Sequence, residues 1–132
     1  MPRRDPWSRR LVSLARATAA ALVLPLAACH KPQPGASAIR ESAERGKQQI
    51  IAYGCGSCHV IPGIGQATGL VGPPLTHFAK RAYIAGEVPN NPEFLTQWIA
   101  VPQSIEPGTV MPNLGVSYGK ARDIATYLYT LK

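Results

Sequence analysis

Two cysteines and a histidine lie close together in the segment Cys55-Gly56-Ser57-Cys58-His59. Two thiols separated by two residues, with an imidazole directly after the second thiol, form the attachment motif of a c-type haem. Each thiol would form a thioether with one vinyl group on an edge of the porphyrin. His59 would then lie under the iron and ligate it, and the small Gly56 and Ser57 would let the backbone approach the ring. The spacing predicts one haem held covalently by Cys55 and Cys58.

Two other kinds of site also use a Cys-x-x-Cys pair. A zinc site normally takes four cysteine or histidine ligands. This chain has no second closely spaced cysteine pair, and its other histidines are His30 and His77. A thioredoxin-like dithiol would lie in a βαβ unit, and no alternation typical of a strand precedes Cys55. Haem attachment is the favoured interpretation, with a redox-active dithiol as its main alternative.

A second axial ligand for the iron is expected from the methionines. The chain has two, and Met1 lies in a segment that we expect to be removed. Met111 lies in a loop between Pro107 and Pro112, whose restricted backbones limit the entropy lost when a side chain is held on a metal. A methionine that only fills the core is the alternative role, and His77 is the alternative ligand. A His/Met pair raises the haem potential and closes the iron to outside ligands.

The first 28 residues have the features of an export signal. A basic start is followed by a 12-residue apolar run, Ala17 to Ala28. That run is shorter than the roughly 20 residues of a membrane span. It ends in Leu26-Ala27-Ala28-Cys29, which resembles the bacterial lipobox, in which the cysteine is acylated and becomes the new N-terminus. We expect residues 1–28 to be a lipoprotein signal peptide and Cys29 to be lipidated.

The cysteine count is consistent with lipidation. The chain has three cysteines. Two would form thioethers, so Cys29 would remain, and an unpaired cysteine in an exported protein requires an explanation. Acylation supplies one, and several acyl chains together give stable membrane attachment. The alternative is a free thiol on an anchor that is not cleaved.

The charge of the chain changes when the signal is removed. The whole chain carries a net charge of +7. Without residues 1–28, nine basic and six acidic residues remain, which gives +3 before the haem propionates are counted. The high positive charge therefore belongs largely to the signal, and no nucleic-acid partner is expected.

The rest of the chain is expected to be all-α. Residues 29–37 read as a flexible tether, and residues 38–132 as one small domain. Apolar periodicity and capping residues predict three helices, namely Ala38–Tyr53, a helix from Asn91-Pro92 to Pro102, and Tyr118–Leu131. Residues 60–90 read as loop, with a short fourth helix from Thr76 to Ala85. Such long loops are expected to lie against the haem.

The first helix carries a glycine in its apolar stripe. The stripe consists of Ile39, Ala43, Gly46, Ile50 and Tyr53. A glycine inside a helix costs about 1 kcal/mol relative to alanine. Gly46 therefore predicts that another helix crosses closely at that point.

These motifs, in this order, resemble the class I cytochrome c family from roughly Arg45 to Leu131. The resemblance implies a cytochrome c fold around one covalent haem c, and transfer of single electrons rather than catalysis. It rests on five motifs, Gly46-Lys47, Cys55 to His59, Gly72-Pro73-Pro74-Leu75, Pro107 to Pro112, and Asp123-Ile124-Ala125-Thr126-Tyr127-Leu128.

The resemblance also implies roles around the haem. The carbonyl of Pro73 would accept a hydrogen bond from the ring of His59, which orients the ligand. Arg81 would lie near a haem propionate, and Trp98 would pack beside the haem on the methionine side. The resemblance gives His77 no role, and we expect it on the surface.

Gly46 and Tyr127 match the family positions at which the first and last helices cross. The resemblance and the energetic cost of the glycine therefore both indicate a close helix crossing at Gly46.

The expected function is that of a lipid-anchored electron carrier on the periplasmic side of a bacterial membrane. By resemblance, a membrane dehydrogenase or quinol-oxidising complex would reduce it and a terminal oxidase would oxidise it. One alternative is a dedicated haem subunit of a larger respiratory complex. Another is a peroxidase-like enzyme with a labile sixth ligand.

Overall fold

The structure is a computed structural model that describes residues 34–132. The predicted signal peptide, Cys29 and the first part of the predicted tether lie outside the described residues. Three α-helices occur in the described part, α1 (Pro34–Ala52), α2 (Pro92–Ala100) and α3 (Tyr118–Leu128). With little strand beside them, they confirm the predicted all-α class. None of the described helices is both long and apolar enough to cross a membrane.

Helix α1 begins earlier than the periodicity predicts. It starts at Pro34 rather than Ala38, so residues 34–37, which the sequence assigned to the tether, are helical. Proline suits the first turn because the amide hydrogen it lacks has no partner there. Ser37 consequently lies inside the helix rather than capping it. The helix ends at Ala52, and Gly54 follows with φ of +66°, a conformation that commonly terminates helices.

Helices α1 and α3 cross at Gly46. A Cβ atom at this position would lie 2.0 Å from the carbonyl oxygen of Asp123 and 2.9 Å from the nitrogen of Ile124. The predicted close crossing is confirmed, and the atoms nearest to this Cβ belong to the backbone of Asp123 and Ile124. The Tyr127 hydroxyl donates a 2.7 Å hydrogen bond to the carbonyl of Pro62, because its long side chain extends past the crossing to the loop after the haem motif.

An ion pair lies beside this crossing. The Arg45 guanidinium donates two hydrogen bonds, of 2.9 and 3.0 Å, to the Asp123 carboxylate, and Ser42 donates a third of 2.6 Å. The hydrogen bonds from Arg45 lower the pKa of Asp123, and the same pairing raises the pKa of Arg45. Asp123 therefore stays ionised at neutral pH and links α3 to α1.

Part of the predicted stripe on α1 does not reach the core. Ala43 and Ile50 are buried, but Ile39 is 60% exposed. Ser42 contacts Thr126, near the end of α3. Ile39 lies almost a turn before Ser42 and is therefore further from the crossing at Gly46. One core cluster joins the three helices to the loops, and its larger members are Ile50, Ile61, Phe78, Ile84, Leu95, Ile99, Ile124, Tyr127 and Leu128.

The predicted short helix at residues 76–85 is wrong except for one 3₁₀ turn, Phe78–Lys80. The chain continues as an antiparallel hairpin of β1 (Tyr83–Ile84) and β2 (Val88–Pro89). Its turn has φ of +54° at Ala85 and +83° at Gly86, and two adjacent positive φ values favour a tight hairpin. Strands of two residues are too short to show alternation in the sequence. Gly86 was therefore the one sequence feature that could have indicated a turn here.

Helices α2 and α3 match their predicted starts. The Asn91 side chain accepts a 2.9 Å hydrogen bond from the amide of Phe94, which confirms the N-cap. Helix α3 begins at Tyr118 as predicted and ends at Leu128, three residues before the predicted Leu131. Ser117 occupies the N-cap position of α3, but its side chain makes no capping hydrogen bond.

Replacement of Gly46 tests the crossing. We expect Gly46→Ala to destabilise the protein by about 1–3 kcal/mol, because the new methyl group would overlap backbone that cannot rotate away. Denaturant unfolding measures the difference. Gly119→Ala in α3 is the matched control, since a Cβ there meets nothing within 4 Å. We expect no loss of stability for the control, and equal stability of the two variants would contradict the packing argument.

Candidate functional site

The cysteine motif forms a tight turn directly after α1. Cys55–Ser57 make one 3₁₀ turn, and the amides of Cys58 and His59 both donate to the carbonyl of Cys55, at 3.3 and 3.1 Å. The Ser57 hydroxyl donates a 2.8 Å hydrogen bond to the carbonyl of Gly54. These local bonds fix the backbone from which the two thiols and the imidazole extend.

A predominantly apolar cavity of about 460 Å³ lies against this turn. Its wall includes side chains from the motif, the following loops, α2 and α3. Cys29 lies outside the described residues. All the other predicted site residues line the cavity, namely Cys55, Cys58, His59, Pro73, Arg81, Trp98 and Met111.

The ring of His59 is held by backbone on two sides. Its Nδ1 lies 2.8 Å from the carbonyl oxygen of Pro73, so the predicted contact is present. With the proton on Nδ1, Nε2 keeps its lone pair for a metal, and the contact fixes the orientation of the ring. A Cβ at Gly72 would lie 2.3 Å from Cε1 of the ring. Sequence reasoning placed Gly72 in a motif without giving it this function.

The loop at residues 67–75 packs its backbone against the motif. The amide of Gly69 donates to the carbonyl of Gly56 at 3.0 Å, and the amide of Gly72 donates to that of Cys58 at 2.8 Å. A Cβ at Gly56 would lie 2.7 Å from Cβ of Ala67. The sequence attributed the small size of Gly56 to the porphyrin, whereas the structure shows that contact with Ala67 already requires it.

Met111 reaches the cavity from the loop between the 3₁₀ turn Pro102–Ser104 and α3. Its amide donates to the hydroxyl of Thr109 at 3.2 Å, and its carbonyl accepts a 2.9 Å hydrogen bond from Nε2 of Gln103. Sequence reasoning missed Gln103. No local pattern signals it, because the contact depends on how the loop folds back on the turn.

His77 lies outside the set of residues that line the cavity. It is exposed, as expected, and its Nδ1 lies 2.8 Å from the carbonyl oxygen of Lys132. Of the two alternative sixth ligands, the fold brings Met111 to the cavity and leaves His77 away from it.

Arg81 and Trp98 line other parts of the same cavity. Arg81 donates a hydrogen bond to the carbonyl of Pro74, and its guanidinium lies 5.2 Å from the centre of the Phe78 ring. Trp98 extends from α2 and packs against the core cluster. The guanidinium is therefore a fixed positive charge beside a mainly apolar cavity.

The two rival interpretations of the cysteines find little support in the described residues. Residues 34–132 contain no group of three or more histidine, cysteine, aspartate or glutamate side chains placed to hold a metal ion. The strands in this range form an antiparallel hairpin after the motif, not the βαβ unit of a thioredoxin-like dithiol. Burial raises the pKa of the Cys55 thiol, which favours its neutral form.

The fold and the cavity together are those of a haem-binding electron-transfer domain. Two thiols, an imidazole with a free nitrogen and a thioether line one apolar cavity, and this donor set fits a covalent haem. The family model for cytochrome c matches residues 43–132, and the chain belongs to the cytochrome c family. Membership implies a covalently bound haem and electron transfer.

The chain is also similar to part of a longer protein. It is 38% identical over 91 residues to "Cytochrome c oxidase subunit 2" of Alkalihalophilus pseudofirmus. The match covers 68% of this chain but 26% of that protein, so the chain spans about a quarter of the relative's length. No solved structure matches the chain significantly.

Replacement of Gly72 tests the position of His59. We expect Gly72→Ala to displace the ring from Pro73 and to remove most of the haem-loaded protein made in cells that attach haem c. The haem content per polypeptide measures this loss. Gly108→Ala is the control, because a Cβ there meets nothing within 4 Å, and it should load normally. Full loading of the Gly72 variant would contradict the role given to this glycine.

Proposed function

We propose that the protein is a carrier of single electrons. One haem c is attached to Cys55 and Cys58, and its iron is ligated by His59 and Met111. The observation that carries the proposal is that these four side chains line a single cavity. The bound haem supplies the one-electron change between ferric and ferrous iron. The chain's own residues ligate the iron, orient the ring and exclude water.

The same residues support a carrier rather than an enzyme. With His59 and Met111 both on the iron, no coordination position would remain for a substrate. A peroxidase-like enzyme would require Met111 to leave readily. Both backbone groups of Met111 are hydrogen-bonded, which favours a ligand that stays in place.

Two further residues are proposed to contact the haem. Arg81 would pair with a propionate, because its guanidinium is held beside the cavity by Pro74 and Phe78. Trp98 would form part of the apolar wall. An apolar wall disfavours the extra charge of ferric iron and so works with Met111 to raise the potential.

The location and partners are proposed from the sequence. Residues 1–28 would direct export, and lipid on Cys29 would hold the domain at the periplasmic side of a bacterial membrane. Its electron donor would be a membrane dehydrogenase or a quinol-oxidising complex, and its acceptor a terminal oxidase.

A second candidate function is that of a dedicated haem subunit of a respiratory complex. The similarity to a protein named as an oxidase subunit favours it. Purification of the protein from native membranes by column chromatography at moderate salt distinguishes the two candidates. A fixed subunit elutes with its complex, whereas a mobile carrier elutes alone.

Replacement of Met111 tests the proposed ligation. We expect Met111→Ala to lower the potential and to open the sixth position, so that the reduced variant binds carbon monoxide and the reduced wild type does not. Optical titration measures both properties. Leu114→Ala, in the same loop at a side chain that is 42% exposed and does not line the cavity, is the control and should resemble the wild type.

An unchanged spectrum in Met111→Ala would refute the ligand assignment. Binding of carbon monoxide to the wild type would instead favour the peroxidase-like enzyme.

Replacement of Cys29 tests the proposed anchor. We expect Cys29→Ala to release the protein from membranes into the soluble fraction and to leave the haem spectrum intact, because Cys29 precedes the haem domain. Fractionation of cells followed by haem staining measures both results. Continued membrane attachment of this variant would contradict lipidation at Cys29.

A further inference from the structure

The loop that carries Met111 has no regular secondary structure. Residues 105–117 contain no helix or strand. Pro107 and Pro112 restrict the backbone locally, but they have no amide hydrogen to donate to the rest of the protein. A ligand on such a loop needs a contact with a better-ordered part of the protein if it is to stay in place.

Among the hydrogen bonds of the described residues, one joins Met111 to a different element. The bond that the Met111 amide donates to Thr109 is local, since its acceptor is two residues away. The other is the 2.9 Å bond from Nε2 of Gln103 to the carbonyl of Met111, which spans eight residues and is partly buried. Gln103 therefore supplies the tertiary hydrogen bond of this segment.

Gln103 is itself on a well-fixed turn. Pro102, the residue before it, is among the most completely buried side chains of the protein. The hydroxyl of Ser104 donates to the carbonyl of Val101 at 2.7 Å and accepts a 3.0 Å hydrogen bond from Gln97. These contacts attach the turn to the end of α2, the helix that carries Trp98 on the cavity wall.

We infer that Gln103 is a positioning residue that holds Met111 on the haem iron. It acts through the backbone carbonyl of Met111 and does not itself line the cavity. The inference rests on the proposed ligation by Met111. Loss of the amide donor would free the loop, so that an outside ligand displaces the thioether more easily.

Titration of the ferric holoprotein with imidazole tests the inference. Gln103→Met keeps the length of the side chain and removes the donor. We expect it to bind imidazole about fivefold more tightly than the wild type, the factor that corresponds to one lost hydrogen bond of ordinary strength. Gln48→Met is the matched control, because Gln48 donates a similar bond to Glu44 on the surface of α1. The control should bind imidazole as the wild type does.

A second variant separates positioning from general destabilisation. In Gln103→Glu the ionised carboxylate faces a carbonyl and repels it, whereas the protonated acid donates a hydrogen bond. We expect tighter imidazole binding at neutral pH and a return towards the wild type as the pH falls through the carboxyl range, about 4.3. Free imidazole also takes up a proton in this pH range, which weakens its binding to both proteins. Dividing the affinity of the variant by that of the wild type at each pH cancels this effect.

The outcomes also separate this inference from the proposed function. If Met111→Ala does not change imidazole affinity, Met111 is not the ligand and the proposed function fails with it. If Met111→Ala binds imidazole more tightly but both Gln103 variants match the wild type at every pH, only the role of Gln103 is overturned. An increase in Gln103→Glu that does not depend on pH also overturns it.

Discussion

The ring of His59 sits against peptide backbone at a distance that leaves no room for a side chain, and the arrangement of the site follows from this contact. Gly72 supplies the surface, and the carbonyl of Pro73 fixes the ring by its hydrogen bond. The loop can reach this position because Gly69 and Gly72 bond to the backbone of the haem motif. The proposed axial ligand is thus oriented by main-chain atoms, which have few alternative conformations.

Close contact with peptide backbone at a glycine also determines the helix crossing. Gly46 brings α1 onto the backbone of Asp123, and the ion pair between Asp123 and Arg45 lies beside it. Because α1 leads directly into the cysteine turn, the crossing sets where the two thiols begin. Much of the core borders the cavity, so a covalent haem would complete the packing of a domain too small to bury a large core by itself.

Sequence reasoning recovered those elements whose signals are local. The Asn91 cap and the start of α3 follow from capping chemistry and a period of 3.6 residues. It failed where a strand was too short to show a pattern and where burial depended on a neighbouring element. The hairpin turn at Ala85 and Gly86 joins strands too short to show alternation, and Ile39 fits the apolar stripe but is exposed.

The sequence by itself predicted the attachment chemistry, because Cys55, Cys58 and His59 lie within five consecutive residues and their spacing does not depend on the fold. It also identified Met111 as a candidate ligand, but left His77 as an alternative. Only the tertiary structure decided that Met111 lines the cavity and His77 does not, and that Gln103 bonds to the Met111 backbone. The reason is physical, since contacts between distant segments depend on how loops fold back, and no local spacing encodes that path.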